Sequence, residues 1–185
     1  LYAPMDEDHP LNPRTPYAAS KTAGEHIVKS YLRTYGIDMV IVRPFNNFGP
    51  RQNKGSYAGV IPIIINRIQQ GIPIEIFGDG EQSRDFIFVK STAEAMVRII
   101  KNEETRGRTV NVASGKETTI NNLVDLIARV MGKPDFPRYH SDPRPGEVLR
   151  LCGSAKLLKQ LTGYEVKSID PDTLAETIDW YIKHE

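Results

Sequence analysis

Stretches with apolar side chains at every third or fourth position alternate along the chain with short, nearly continuous runs of β-branched and aromatic residues. The first periodic stretch opens at Thr15-Pro16 and closes at Gly36. It has a hydroxyl N-cap, proline at the first helical position, a stripe of Ile27, Val28, Tyr31, Leu32 and Tyr35, and a glycine stop, and so predicts an amphipathic helix. The following run IDMVIVRP, broken by Pro44, reads as a strand covered on both faces, as in a parallel sheet. VIPIIINRIQQG predicts a helix ending at Gly71, although its β-branched content also suits a strand. IEIF and RDFIFV flank the turn GDGEQS and read as a strand pair. In STAEAMVRIIKN, Ser91 followed by Glu94 has the pattern of a capping box opening a helix. TVNVA predicts a strand and TINNLVDLIARVMG a helix closed by Gly132. Residues 1–15 and KPDFPRYHSDPRPGEVLR predict irregular chain, with helices near SAKLLKQLTG and PDTLAETIDWYIKH. Helices following buried strands in this way predict an α/β fold.

Composition narrows the partners. A chain of 185 residues, 39% hydrophobic and 25% charged, makes one domain, or one and a part, with room for a sizeable core. Its 24 basic and 23 acidic side chains leave a net charge of +1, so no global field draws it to nucleic acid, and an anion site must be a local cluster of arginines. Cys152 is the only cysteine, which excludes an intrachain disulfide and predicts a reducing, cytoplasmic setting. No apolar run approaches the ~18 residues of a membrane span, and no membrane partner is expected. His9, His26, His140 and His184 lack zinc-like spacing, so no metal is expected.

The stretch TPYAASK carries the first candidate chemistry. Tyr17 and Lys21 stand one helical turn apart on one face, with only small residues between them. A free phenol, with a pKa near ~10, is a poor base at neutral pH, and a neighbouring ammonium favours its ionised form. The spacing alone also arises by chance in a chain with 8 tyrosines.

Three further motifs follow in order: RPFNNFGPRQ after the strand, then FGDGEQSRDFIFV, then DPRPGEVLR. With PYAASK behind DEDHPLNPRT, they resemble the extended short-chain dehydrogenase/reductase family, and within it the nucleotide-sugar epimerases and 4,6-dehydratases. The resemblance runs over essentially the whole chain. It implies the final part of a doubly wound, Rossmann-type parallel sheet joined to a smaller mixed α/β substrate-binding domain. Residues 1–57 would hold the last elements of the dinucleotide-binding domain with its Y-x-x-x-K helix. Residues 58–185 would be mainly the substrate domain, with some segments returning to the sheet.

The resemblance also implies roles. Tyr17 matches the base that takes the proton of the sugar 4-hydroxyl, and Lys21 matches the lysine that holds the nicotinamide ribose of NAD and assists the phenol. Pro44 and Phe45 fall beside the nicotinamide. Asn46 matches a contact to the sugar phosphate region, and Phe77 with Gly78 lies where the base pocket is lined. Arg84 and Arg144 match a clamp on the diphosphate of a nucleotide-diphosphate sugar, work that suits a planar guanidinium. Glu147 matches an acceptor for the nucleoside ribose. A plainer reading pairs Arg84 with Asp85 or Glu81 and leaves Arg144 solvated in a loop. The family's homodimer, formed through the Y-x-x-x-K helix, is expected to use the outward face of residues 22–35.

The chain departs from that family by lacking its glycine-rich pyrophosphate turn; GDGEQS precedes a strand-like segment and is rejected as such a turn. The upstream serine or threonine of the catalytic group is also missing, as are the acidic residues that separate dehydratase from epimerase. The expectation is a C-terminal part of an NAD-dependent enzyme. The alternative is a non-catalytic nucleotide-sugar-binding module.

Overall fold

The computed structural model describes residues 2–53 and 59–184. The expected domain boundary at 57/58 falls outside the described residues.

Helix α1 (Pro16–Tyr35) has the ends read from the sequence. Thr15 Oγ1 accepts from the Ala18 N–H at 3.2 Å, and Gly36, at φ 62, donates to the Leu32 carbonyl. Its faces differ from the expected stripe. Ala18, Thr22, Glu25, Val28 and Leu32 are half-buried against the body, while Ile27, Tyr31 and Tyr35 are exposed. Strand β1 (Ile41–Pro44) follows, then β2 (Asn46–Phe48), helix α2 (Val60–Gln70) and β3 (Ile74–Phe77). The short strands β4 (Ser83–Arg84) and β5 (Phe86–Phe88) run into α3 (Val89–Lys101); then come β6 (Thr109–Val112), β7 (Thr118–Thr119) and α4 (Ile120–Val130). The chain ends with β8 (Arg138–Ser141), β9 (Arg150–Leu151), α5 (Lys156–Thr162) and α6 (Pro171–Lys183).

Among the described residues the strands form four small sheets. β1 pairs with β6, β2 with β5, β3 with β8, all parallel, and β4 lies between parallel β9 and antiparallel β7. The expected pair of IEIF and RDFIFV does not form. Gly78 and Gly80, at φ 70 and 77, turn the chain so that the two strands part, and each finds a distant parallel partner. The stretch expected to be irregular supplies β8 and β9. Its polar, largely exposed residues carry no apolar alternation, and only backbone pairing makes it a strand. The capping box at Ser91 is also absent. Helix α3 starts at Val89, and the Ser91 hydroxyl instead meets the Tyr164 hydroxyl and accepts from the Lys167 N–H, each at 2.8 Å.

Two apolar cores meet at β5. Phe86 and Phe88 enter the core built from α2, β3, α4 and α6, while Ile87, on the opposite face, enters the core of β6, α3 and α5. A strand's two-residue period makes this division automatic. Residues 2–15 are irregular but pinned: Asn111 Nδ2 donates to the Met5 carbonyl, and the Asn111 N–H donates to Glu7 Oε1.

An ion pair fastens helix α1 to β1. Arg43 on β1 donates from Nε and Nη2 to both oxygens of Glu25, each at 2.7 Å, and from Nη1 to the Glu7 carbonyl. Its guanidinium holds the Glu25 carboxyl below the usual range, against the opposing effect of burial. A carboxyl depressed on folding stabilises the fold at pH values above its unfolded pKa, near ~4.3, and ceases to do so as pH falls through the folded value. Glu25→Gln should therefore lower the urea midpoint at pH 7, and the difference from wild type should close as pH drops from about 5 towards 3. A difference that persists in acid would contradict the role given to this pair.

Candidate functional site

A cavity of about 230 Å3 opens between α2, β3, the β4–β5 segment, α4 and the loop before β9. Its wall is apolar where α2 and α4 contribute Val60, Ile64, Ile120 and Val124. Into this wall converge Asn46, Phe77, Gln82, Arg84, Arg144 and Glu147. An apolar pocket with a few convergent polar groups is the usual form of a small-molecule site.

Each polar side chain has a local cause. Arg84 and Asp85 are adjacent in an extended segment, so their side chains leave on opposite sides. Arg84 reaches the cavity, while Asp85 is fully buried. The Asp85 carboxylate accepts from the Ser114 hydroxyl at 2.5 Å and from the N–H groups of Ser114, Gly115 and Gly153 at 3.0 to 3.3 Å. Burial pushes its pKa up, and these donors work against that shift. Its backbone carbonyl accepts from the Asn46 N–H at 3.1 Å, which sets Asn46 at the cavity wall. Gly153 must be glycine here, because a Cβ would lie 2.5 Å from both Ala113 Cβ and the Phe45 ring.

Arg84 donates from Nη1 to the Ser83 and Val148 carbonyls and from Nη2 to Glu147 Oε1 at 3.1 Å. The partners read from the sequence, Asp85 and Glu81, are not its partners: Asp85 faces inward, and Glu81 accepts from Asn121. Desolvation lowers the Arg84 pKa, with Glu147 opposing the shift. Arg144 is not solvated freely either, since its guanidinium carbon lies 3.9 Å from the Phe77 ring centroid.

The cavity thus gathers Asn46, Phe77, Arg84, Arg144 and Glu147 from four separated segments. Gly78 lies next to it, with its carbonyl accepting from His140 Nδ1 at 2.8 Å. Pro44 ends β1, and Phe45 packs into the second core. Tyr17 and Lys21 are outside the cavity, on the exposed start of α1. Tyr17 is 72% exposed, and the Lys21 ammonium sits 5.4 Å from its ring centroid. The two side chains therefore face each other as the helical spacing requires.

Sequence reasoning did not single out Gln82, Arg67 or Glu75. Gln82 is buried and donates to the Phe77 carbonyl at 2.8 Å; its place in the GDGEQS turn was the available signal. Arg67 and Glu75 form an ion pair of 3.2 Å in the wall. A basic residue in the last turn of a helix has an ordinary explanation, so nothing marked this pair. Among the described residues no group of three His, Cys, Asp or Glu is placed to hold a metal ion, and no helix is long and apolar enough to cross a membrane.

Comparison with known proteins places the chain. Residues 2–113 match the model of a family described as the NAD dependent epimerase/dehydratase family. The chain is 34% identical to a UDP-glucose 4-epimerase of Mycolicibacterium smegmatis over 96% of its own length and 56% of the relative's. It is 32% identical to a dTDP-glucose 4,6-dehydratase of Xanthomonas campestris, covering 97% of this chain and 52% of that one. In structure it matches a UDP-N-acetylglucosamine 4-epimerase from Methanobrevibacter ruminantium, solved with UDP-N-acetylmuramic acid, at a TM-score of 0.90 and 36% identity. That match covers 99% of this chain and 58% of the other. The chain spans a little over half the length of these relatives.

Asp85 anchors the extended segment that aims Arg84 into the cavity and bonds the Asn46 backbone. Replacing it with Ala strands the buried Gly153 N–H, a cost of about 1–3 kcal/mol, and takes the acceptor from the part-buried Ser114 and Gly115 N–H groups. Asp85→Ala should lose about 2–4 kcal/mol of unfolding free energy in urea, and Asp85→Asn, which keeps one acceptor, less than Ala. Equal stability of the Ala variant and wild type would remove Asp85 from this role.

Proposed function

The chain belongs to the NAD dependent epimerase/dehydratase family, and from that premise we propose that it acts on a nucleoside-diphosphate sugar by transient oxidation at the sugar C4. The observation that carries the proposal is the cavity that brings Arg84, Arg144, Glu147, Asn46 and Phe77 together from distant segments. An aromatic ring, two guanidinium groups, a carboxamide and a carboxylate answer in turn to a nucleobase, a diphosphate, a phosphate-bridging oxygen and a ribose hydroxyl. Phe77 and Gly78 line the base end, and Arg84 and Arg144 hold the diphosphate. Glu147 accepts from the ribose once a nucleotide is in place. The core around β1, β6, α3 and α5 belongs to the dinucleotide-binding side, and that around α2, β3, α4 and α6 to the substrate side.

The donor set on α1 fits the nicotinamide ribose of NAD. Among the described residues, the Tyr17 hydroxyl and the Lys21 ammonium make no hydrogen bond or ion pair, so both remain available to a diol. Pro44 and Phe45 would lie along the nicotinamide. Bound NAD would supply the acceptor for the hydride leaving C4. Tyr17 takes the proton of the 4-hydroxyl, and Lys21 favours its phenolate by holding a positive charge beside it. The Arg43–Glu25 pair fixes α1 to the strand that leads into Pro44, Phe45 and Asn46, which ties the proton acceptor to the substrate cavity. Epimerase and dehydratase outcomes share this first step, so the arrangement supports either.

The exposed Ile27, Tyr31 and Tyr35 form an apolar face on α1 that suits a second copy of the chain. Tyr31→Glu should shift sedimentation at micromolar concentration from dimer to monomer, and a wild-type monomer would remove this assignment.

The functional test uses the full-length protein with NAD and a panel of UDP-, dTDP- and GDP-hexoses, with product analysis. Turnover of at least one is expected. Tyr17→Phe should lower kcat by about 10²–10⁴-fold while leaving UDP affinity within about twofold. Binding of UDP with no turnover of any sugar would leave a non-catalytic binding module in place of an enzyme.

A further inference from the structure

The cavity's binding groups are already engaged with one another. Arg84 spends its Nη atoms on Ser83, Val148 and Glu147, and Arg144 covers the face of Phe77. Both internal partners come from one short turn. The Glu147 N–H donates to the Arg144 carbonyl at 3.3 Å, and Gly146, at φ 75, supplies the left-handed residue that the turn needs. This turn lays a planar, delocalised cation on an aromatic ring and a carboxylate on a guanidinium. A nucleobase is also a planar π body that stacks on an aromatic ring, and a phosphate is also an oxyanion that takes a guanidinium. Both contacts have a physical cause. A half-buried guanidinium without a counter-charge is costly, and a desolvated aromatic face gains from a cation over it.

We propose that the turn Arg144–Glu147 is an internal stand-in for the nucleotide, with Arg144 occupying the seat of the base on Phe77 and Glu147 the seat of a phosphate on Arg84, and that a nucleoside diphosphate binds by displacing both. The inference rests on the nucleotide-sugar reading of the cavity and adds to it the internal contacts that a nucleotide must replace. On displacement Arg144 leaves the ring and becomes available to the diphosphate, and Glu147 leaves Arg84 and becomes available to the ribose. The same two residues therefore oppose one part of the ligand and hold another.

That double role predicts effects of opposite sign for different pieces of the ligand. Glu147→Gln removes the competing charge at Arg84, so inorganic pyrophosphate should bind about threefold to tenfold more tightly than to wild type. Arg144→Gln uncovers Phe77, so uridine, which has no phosphate, should bind more tightly by about threefold, while UDP should bind more weakly. Arg144→Lys, which cannot stack as a plane, should give the same pattern for uridine. Titration calorimetry with pyrophosphate, uridine and UDP on wild type and the three variants reads all of this, with thermal unfolding in the same buffer verifying that each variant is folded. Unchanged or weaker pyrophosphate binding to Glu147→Gln, or unchanged or weaker uridine binding to the Arg144 variants, overturns the stand-in while UDP binding to wild type preserves the nucleotide reading. Failure of every protein to bind any of the three probes overturns both.

Discussion

Asp85 is the point on which the arrangement turns. Its carboxylate gathers the backbone after β6 and the backbone after β9, and its own main chain bonds to the start of β2 and to β9. Three segments far apart in sequence are thereby fixed at this one buried residue. A charge placed there would be unfavourable without compensation, and the donors around it supply that compensation. The same node explains the neighbouring thiol. Burial, then the Asp85 charge, push Cys152 up to about 11, so the one cysteine is a small packed group rather than a nucleophile. Because Arg84 is the next residue along an extended strand, a carboxylate anchored inward is what aims a guanidinium outward into the cavity.

Local signals in the sequence were faithful where the physics is local. Thr15, Pro16 and Gly36 bound the first helix as expected, and Gly71 ends the second, since caps and stops depend on a few neighbouring atoms. Pairing between strands is not local, and there the sequence misled. IEIF and RDFIFV look like a hairpin because a glycine turn separates them, yet each pairs with a distant strand, β3 with β8 and β5 with β2. The segment containing β8 was unreadable for the opposite reason: its side chains are mostly solvated, and its strand character lies in backbone bonds to β3. Ser91 carried a valid capping signal that a stronger tertiary use claimed.

The cavity was legible only through resemblance. Arg84, Arg144 and Glu147 taken singly have ordinary explanations, and their meeting depends on the chain folding back between Arg84 and Glu147, which stand 63 positions apart. What the resemblance could not convey is how they meet. It presents them as separate contacts to a ligand, whereas the structure joins Arg84 to Glu147 and Arg144 to Phe77. Gln82 and the Arg67–Glu75 pair belong to the same wall and were silent in the sequence, because a glutamine in a turn and an arginine ending a helix are common for other reasons.

The three-residue strand β5 has a consequence for engineering. Its aromatic residues belong to one core and its isoleucine to the other, so a slip of one position would exchange the two sets of side chains between cores of different shape. A chimera that exchanges the cavity with that of a relative cannot be joined inside residues 83–88, where both cores borrow from the same backbone. Its seams belong on either side, and the donor's copy of that strand has to travel with the Arg84 side chain it aims.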